Sequence, residues 1–461
     1  MVDLLMNDIL GTPSILVGLF AFFGLLLQRK QIADVISGTL KTIMGFVILG
    51  VGAGAITGSL GHFSSMFDSA FELSGVIPNN EAIVALAQDA FGTETAMIML
   101  FGMLVNIVLA RFTPFKYIFL TGHHTMFMAC LIAVILSTGG IEGMMLILIG
   151  SIILGSLMVL MPAMLQPFTR KITGSDDFAV GHFGSFGYLA AGAVGKLVGK
   201  QSKSTEELKV PKSLGFLRDT SVSVSLTMAI LFFIVALFAG PAFIEAELSD
   251  GTNFLVFAFL QSITFAAGVY IILAGVRMIL SEIVPAFKGI ADKVVPNAIP
   301  ALDCPSVFPF ANNAVVIGFV FSFLAGLISM FLLPVLGLRV IVPGLVPHFF
   351  TGAAAGVFGN ATGGRKGAIF GSMANGLIIS FLPAILLPVL GSLGFEGTTF
   401  GDADFGVIGV ALGYPVQLFA SPLLFAGLIV ILLAGFFAIS IARSRRKSPT
   451  PIENEQQSNS I

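Results

Sequence analysis

A chain of 461 residues in which 56% are hydrophobic and only 10% are charged cannot fold as a water-soluble globule, where roughly 25% of residues carry charge. Its net charge of -2 excludes a polyanion-binding surface and hence a nucleic-acid partner. The two cysteines, Cys130 and Cys304, stand far apart in apolar surroundings without CxxC or CxxH spacing, which excludes a disulfide scaffold and structural zinc.

The apolar runs are long enough to cross about 30 Å of hydrocarbon as helices, and the 53 glycines suit closely packed and broken helices better than barrel strands. The chain therefore reads as an all-α integral membrane protein, a polytopic bundle in the lipid bilayer. Its first run, Ser14 to Gln28, lacks a basic n-region and a small-residue cleavage pattern, so it reads as a retained helix. Residues 30–42 and 277–293 mix Lys, Arg and acids with apolar residues at helical spacing, as interfacial amphipathic helices do.

Loop charge sets the expected topology. Arg29, Lys30 and Lys41, then Lys196, Lys200, Lys203, Lys209, Lys212 and Arg218, then Arg443, Arg445, Arg446 and Lys447 mark the cytoplasmic side. Asp68, Glu72, Glu81, Asp89 and Glu94, then Glu245, Glu247 and Asp250, then Glu396, Asp402 and Asp404 mark the outside. Spans are predicted near 14–28, 43–60, 96–110, 117–138, 143–165, 221–243, 253–276, 315–334, 340–358, 367–391 and 421–442. These 11 transmembrane helices put the N-terminus outside and the C-terminus in the cytoplasm. One membrane domain occupies 1–442, with repeat one at about 14–200, repeat two at about 221–420 and a final helix at 421–442; 443–461 forms a disordered cytoplasmic tail.

The duplication is signalled by a phrase. Asp177-Phe178-Ala179-Val180 with Gly187-Tyr188 returns as Asp404-Phe405-Gly406-Val407 with Gly413-Tyr414, in a chain with only four tyrosines. Pro78-Asn79 matches Pro296-Asn297 and Phe91 matches Phe310, at offsets drifting from about 218 to about 227. Glycine-rich runs near 180–195 and 406–420 read as re-entrant hairpins. Five full spans per copy make the two repeats inverted, the architecture of alternating-access transporters with a midplane site.

Ionisable groups at membrane depth are site candidates by default. His123 and His124 interrupt an apolar run in Leu120-Thr121-Gly122-His123-His124-Thr125. Adjacent histidines diverge on a helix, so ligand contact or helix packing is expected there and a metal site is not. His182 follows Gly181 in the first re-entrant run, with Phe183 beside it as a ring that could stack or pack. Asp303, with Asn312 and Asn313, occupies a proline-interrupted stretch whose counterpart runs through Asn80 and Glu81. Carboxylates and amides suit a polyhydroxylated solute, and helix capping is the alternative use. Gly363-Gly364-Arg365-Lys366 lacks the spacing and the strand of a phosphate loop and reads as a cytoplasmic turn. No cofactor motif emerges.

Several phrases in one order resemble the membrane component, IIC, of the ascorbate-type sugar permeases of the bacterial phosphotransferase system. They are Lys41-Thr42-Ile43-Met44-Gly45-Phe46, Leu120-Thr121-Gly122-His123, Gly181-His182, Asp303-Cys304 with Phe310-Ala311-Asn312-Asn313-Ala314-Val315, and Pro343-Gly344 through Gly356-Val357-Phe358. The resemblance covers about residues 14–442. It implies a homodimeric elevator-type transporter of the bacterial cell (inner) membrane that is not itself an enzyme. Separate IIA and IIB proteins then phosphorylate the incoming sugar from phosphoenolpyruvate. Residue by residue, it implies substrate contacts at His123, His182 and Asp303. Ser74-Gly75-Val76-Ile77 is similar to a family stretch that points to Asn80 and Glu81. Where the ascorbate proteins present two glutamines, this chain has Phe127 and Phe183, which leaves ascorbate in competition with a related sugar acid, pentose or polyol. The alternative function is an ion-coupled secondary transporter of a similar polar solute, with His182, Asp303 and Glu81 as coupling groups.

Overall fold

The computed structural model describes residues 12–71, 75–208, 220–390, 398–419 and 421–447. Ser74, Lys209, Lys212, Arg218, Glu396 and the tail after Lys447 lie outside these residues, as do the side chains of Glu81, Lys288, Arg445 and Arg446.

The first half of the chain forms α1 (Pro13–Leu27), α2 (Ile32–Phe71), β1 (Ile77–Pro78), α3 (Asn80–Phe112), β2 (Tyr117–Phe119), α4 (Gly122–Thr138), α5 (Gly143–Thr173), β3 (Ala179–Val180) and α6 (Ser185–Val198). The second forms α7 (Thr220–Ala239), α8 (Pro241–Phe243) running into a π-helical turn, α9 (Phe254–Lys293), β4 (Ile299–Leu302), α10 (Asn312–Val335), α11 (Leu345–Leu386), β5 (Thr398–Thr399) and α12 (Ala403–Leu418). A last helix, α13 (Pro422–Lys447), follows.

Among the described residues seven helices are long and apolar enough to cross a membrane, and the bent pair Val224–Ala239 and Pro241–Leu248 could supply an eighth. Several boundaries differ from the expected spans. The interfacial segment 30–42 and the span after it are one helix, α2, of 40 residues, and 253–276 likewise continues through 277–293 as α9, also 40 residues. No proline or turn pair separates segment from span in α2, and in α9 Pro285 is accommodated without a break, so a change of polarity alone does not stop the backbone. The expected spans near 340–358 and 367–391 are the two arms of α11, broken at Gly363 and at Gly364, whose φ of 56° and ψ of -146° are open to glycine. The run 117–138 begins as a strand, leaving α4 only 17 residues. Every residue from Phe127 to Leu136 of α4 is buried, as expected for a helix apolar on all sides inside a larger protein.

The order of elements repeats at about 220 residues: long helix, strand, helix, strand or bridge, short helix, long helix, strand, short helix. The two long leading helices, α2 and α9, cross each other antiparallel through glycines. A Cβ on Gly52 would lie 2.7 Å from the Gly268 carbonyl, and one on Gly275 would lie 2.8 Å from the Gly45 carbonyl. Small residues let these backbones touch where lipid offers no hydrophobic drive.

Strand pairing exchanges the two copies. In one sheet β4 lies between β2 and β3, all parallel, with Phe119 opposite Ala301 and Ala179 opposite Ala301. In the other, Val76 at the start of β1 bridges Ile341, and β1 pairs in parallel with β5, Ile77 opposite Thr398. Each central strand comes from the copy that does not supply its flanks.

This framework corrects the register read from the sequence. Ile77-Pro78 of β1 corresponds to Ile299-Pro300 of β4, not to Pro296-Asn297. The repeated Asp-Phe phrase is not at equivalent places: Ala179-Val180 forms β3, whereas Asp404 to Val407 lie inside α12. The counterpart of β3 is β5, so the positions equivalent to Gly181-His182 fall at Phe400-Gly401, one residue before Asp402.

Candidate functional site

Parallel strands deliver their following residues in one direction, and here that direction leads to one cavity. The chain leaves β2 toward His123, β4 toward Asp303 and β3 toward His182. His123 Nε2 lies 3.5 Å from Asp303 Oδ2, and His182 Nε2 lies 3.8 Å from Asp303 Oδ1. Asp303 is oriented by the Cys304 N–H, which donates to its Oδ1 at 2.6 Å. The Tyr188 hydroxyl holds His182 at Nδ1, 2.9 Å away, and the Thr121 hydroxyl donates to the Gly181 carbonyl, tying two of the three loops together.

The second sheet ends on the same space with different chemistry. Asn80 follows β1 and donates from Nδ2 to Asp402 Oδ2 at 2.9 Å; the Gly401 N–H donates to Asn80 Oδ1 at 2.8 Å, which fixes the amide's orientation. After Ile341 comes the turn Gly344 to Pro347, which brings no ionisable side chain. His124 joins the halves. Its ring centroid is 3.9 Å from that of His182, and its Nδ1, buried without a hydrogen-bond partner, is 4.0 Å from Asp402 Oδ2.

Between these loop tips and the face of α2 carrying Phe46, Gly50 and Thr57 lies a cavity of about 620 Å³. That volume is within the usual range for small-molecule sites. Of the residues expected from sequence, Asn80, His123, Phe127, His182 and Asp303 line it. Phe127 sits one turn beyond His123, its ring centroid 5.9 Å away. Phe183 does not reach the cavity: it is fully buried behind His182, stacked on Phe119 at 5.0 Å. Asn312 and Asn313 are also elsewhere, at the start of α10. There the Asn313 N–H donates to Glu206 Oε1 at 3.0 Å and Asn313 Nδ2 to the Thr205 carbonyl at 3.2 Å, so neither asparagine side chain caps the helix and Asn313 ties it to the loop at Thr205–Glu207. The Glu81 side chain is outside the described residues.

His124, a contact candidate together with His123, lines the cavity as well, and so does Asp402, which the sequence marks only as a loop acid. Nothing local distinguishes Asp402 from Asp404; only the pairing of β1 with β5 carries it to Asn80. The fold also gathers ligand-type atoms of His124, His182 and Asp402 within 4.8 Å of one another, from positions that local spacing does not connect.

A multi-pass helical chain whose buried polar cavity is built by broken and short elements has the form of a membrane permease. The chain belongs to the family described as the PTS system sugar-specific permease component, EIIC-GAT, whose model matches residues 8–404. It is similar to the ascorbate-specific PTS system EIIC component of Mycoplasma pneumoniae, 28% identical over 441 residues that cover 83% of this chain and 65% of that protein. The chain thus spans less than two thirds of the length of this curated relative.

Proposed function

We propose that this chain is the membrane permease subunit that carries ascorbate or a related sugar acid or polyol into the cell, while separate IIA and IIB proteins phosphorylate it. The observation that carries this reading is the 620 Å³ cavity, where His123, His182, Asp303, Asn80 and Asp402 converge inside a membrane-spanning chain of a sugar-permease family. Imidazoles facing carboxylates across gaps of 3.5 to 4.0 Å are too far apart to bond directly, and a sugar hydroxyl can donate to one and accept from the other.

The transport architecture follows the same line. The antiparallel crossing of the equivalent helices α2 and α9 supports inverted repeats, α6 and α12 suit the two re-entrant runs, and eleven spans would be reached by adding α1 and α4 and counting the two arms of α11 separately. Loop charge favours an outside N-terminus and a cytoplasmic C-terminus. An elevator motion of the cavity-bearing loops against the α2 and α9 scaffold, in a homodimer, is the mode of transport this implies.

Sealed vesicles test the coupling. Sugar should accumulate as its phosphate only when phosphoenolpyruvate and the soluble partner proteins are supplied. Accumulation of unmodified sugar on an ion gradient alone would instead establish the secondary-transporter reading.

A further inference from the structure

We propose that His124, His182 and Asp402 form a site for a divalent transition-metal ion of the zinc class, which bridges the loop tips of the two sheets. Such a site is independent of the permease reading, and its test uses no sugar.

The three residues reach one point from separate parts of the fold. His124 lies in the first turn of α4 after β2, His182 follows β3, and Asp402 follows β5. One ligand-type atom from each lies within 4.8 Å of the other two, and all three residues are buried. The His124 and His182 ring centroids are 3.9 Å apart, and His124 Nδ1 is 4.0 Å from Asp402 Oδ2. That Nδ1 is buried and has no hydrogen-bond partner, a state rare in native structures and one that a bound cation would relieve. Neighbouring histidines on a helix make a poor pair of ligands, and here the second nitrogen comes from His182 on another loop.

Zinc-class ions hold imidazole nitrogen and carboxylate oxygen at about 2.0–2.2 Å, which places tetrahedral ligand atoms about 3.4 Å from one another. The gap between His124 and Asp402 exceeds this by about 0.6 Å, within the reach of small side-chain rotations. Two nitrogens with one oxygen favour Zn²⁺ or Co²⁺ over Ca²⁺ and Mg²⁺, which take oxygen ligands. The surrounding contacts orient the donors. The Tyr188 hydroxyl lies 2.9 Å from His182 Nδ1, which leaves Nε2 for the ion, and the Asn80 amide donates to Asp402 Oδ2 at 2.9 Å. A carboxylate has lone pairs enough for that N–H and a metal bond together. Asp303 Oδ1, 3.8 Å from His182 Nε2, adds a second negative charge nearby. All three ligands line the cavity of about 620 Å³, which gives the ion an entry path and leaves a fourth position for water. His124 also groups with His123 and Asp303 within the same 4.8 Å limit, and variants separate the two sets.

The test is titration of the tag-free, full-length chain in nanodiscs at neutral pH with Zn²⁺ and Co²⁺, read by calorimetry and by visible absorption. One ion per chain should bind, and bound Co²⁺ should show the intense visible bands of four-coordinate geometry. His124→Gln and Asp402→Asn should each weaken Zn²⁺ binding about 100-fold, and Tyr188→Phe, which removes an outer contact and keeps the ring, about 10-fold. His123→Gln and, as a control on α2, His62→Gln should each change it by less than about 3-fold. Should a ligand variant fail to fold, the Co²⁺ spectrum of the unaltered protein and the Tyr188 variant still decide. No saturable binding to the unaltered protein, a six-coordinate Co²⁺ spectrum, or a larger loss in His123→Gln than in Asp402→Asn overturns the proposal.

Discussion

The two sheets at the cavity share a pattern, a central strand from one half of the chain between elements of the other half, and their loop tips differ. Beyond β2, β4 and β3 stand His123, Asp303 and His182, a carboxylate between two imidazoles. Beyond Ile341, β1 and β5 stand the turn Gly344 to Pro347, Asn80 and Asp402, an apolar turn beside a carboxylate held by an amide. The shared part is backbone hydrogen bonding, which tolerates almost any side chain. The differing part is at the positions just past each strand, where a substitution changes chemistry without disturbing the pairing. One half is therefore equipped to contact solute through three polar groups, the other through one that a neighbour orients.

That asymmetry has a direct test. Asp303 serves both His123 and His182, so Asp303→Ala leaves two imidazoles facing empty space and should weaken sugar binding by about 100-fold. Asn80 acts through Asp402 and is already saturated at Oδ1 by Gly401, so Asn80→Ala should cost only about 10-fold. Calorimetry on both purified variants decides; equal losses, or a larger loss at Asn80, would mean that the halves contribute alike.

The scaffold comparison comes next in size. Gly275 of α9 faces α2, where a Cβ would lie 2.7 Å from the Leu49 nitrogen, whereas Gly427 of α13 has nothing within 4 Å. Gly275→Val should cost about 1–3 kcal/mol by forcing backbones apart, and Gly427→Val should leave thermal unfolding nearly unchanged. Similar melting temperatures for the two variants would break the claim that glycines set the α2 and α9 crossing. A smaller effect is expected at Phe127. Phe127→Gln introduces an amide donor one turn beyond His123 and should improve ascorbate binding about 5-fold in the same calorimetry; no gain would mean that this position does not face the solute.

How far the sequence carries depends on the range of the interactions. Composition and apolar runs identify a helical membrane protein because the bilayer imposes that solution locally. The phrases around His123, His182 and Asp303 are legible because each is a short polar break in an apolar segment. Asp402 is not legible, since its meaning comes from Thr398-Thr399 pairing with Ile77-Pro78 more than three hundred residues away. Asn312 and Asn313 carry the same residue types as a binding stretch but stand at the start of α10, where the Glu206 carboxylate from a distant loop accepts the Asn313 and Ala314 N–H groups, a placement no local pattern announces. The two Asp-Phe phrases suggest a duplication, but one copy leads into β3 and the other lies inside α12, because a two-residue strand leaves too weak a pattern to align.

The two copies of that phrase supply the smallest predicted effect. Asp404 is fully buried and its Oδ1 accepts the Phe186 N–H at 2.8 Å, at the start of α6. Its sequence match, Asp177, stands on an exposed turn beside Asp176, and the Arg170 guanidinium, by hydrogen bond and charge, holds the Asp176 carboxyl below its ordinary value of 3.8. A carboxyl whose pKa is lowered on folding adds stability above the ordinary value and loses it as pH falls through the lowered one. The pair is solvent-exposed on both sides, so screening leaves little of that energy. Asp176→Asn should therefore lower the melting temperature by about 1 °C or less at pH 7, and the difference should close as pH falls through the lowered value. A difference that persists in acid would assign the Asp176 turn a packing role in place of an electrostatic one.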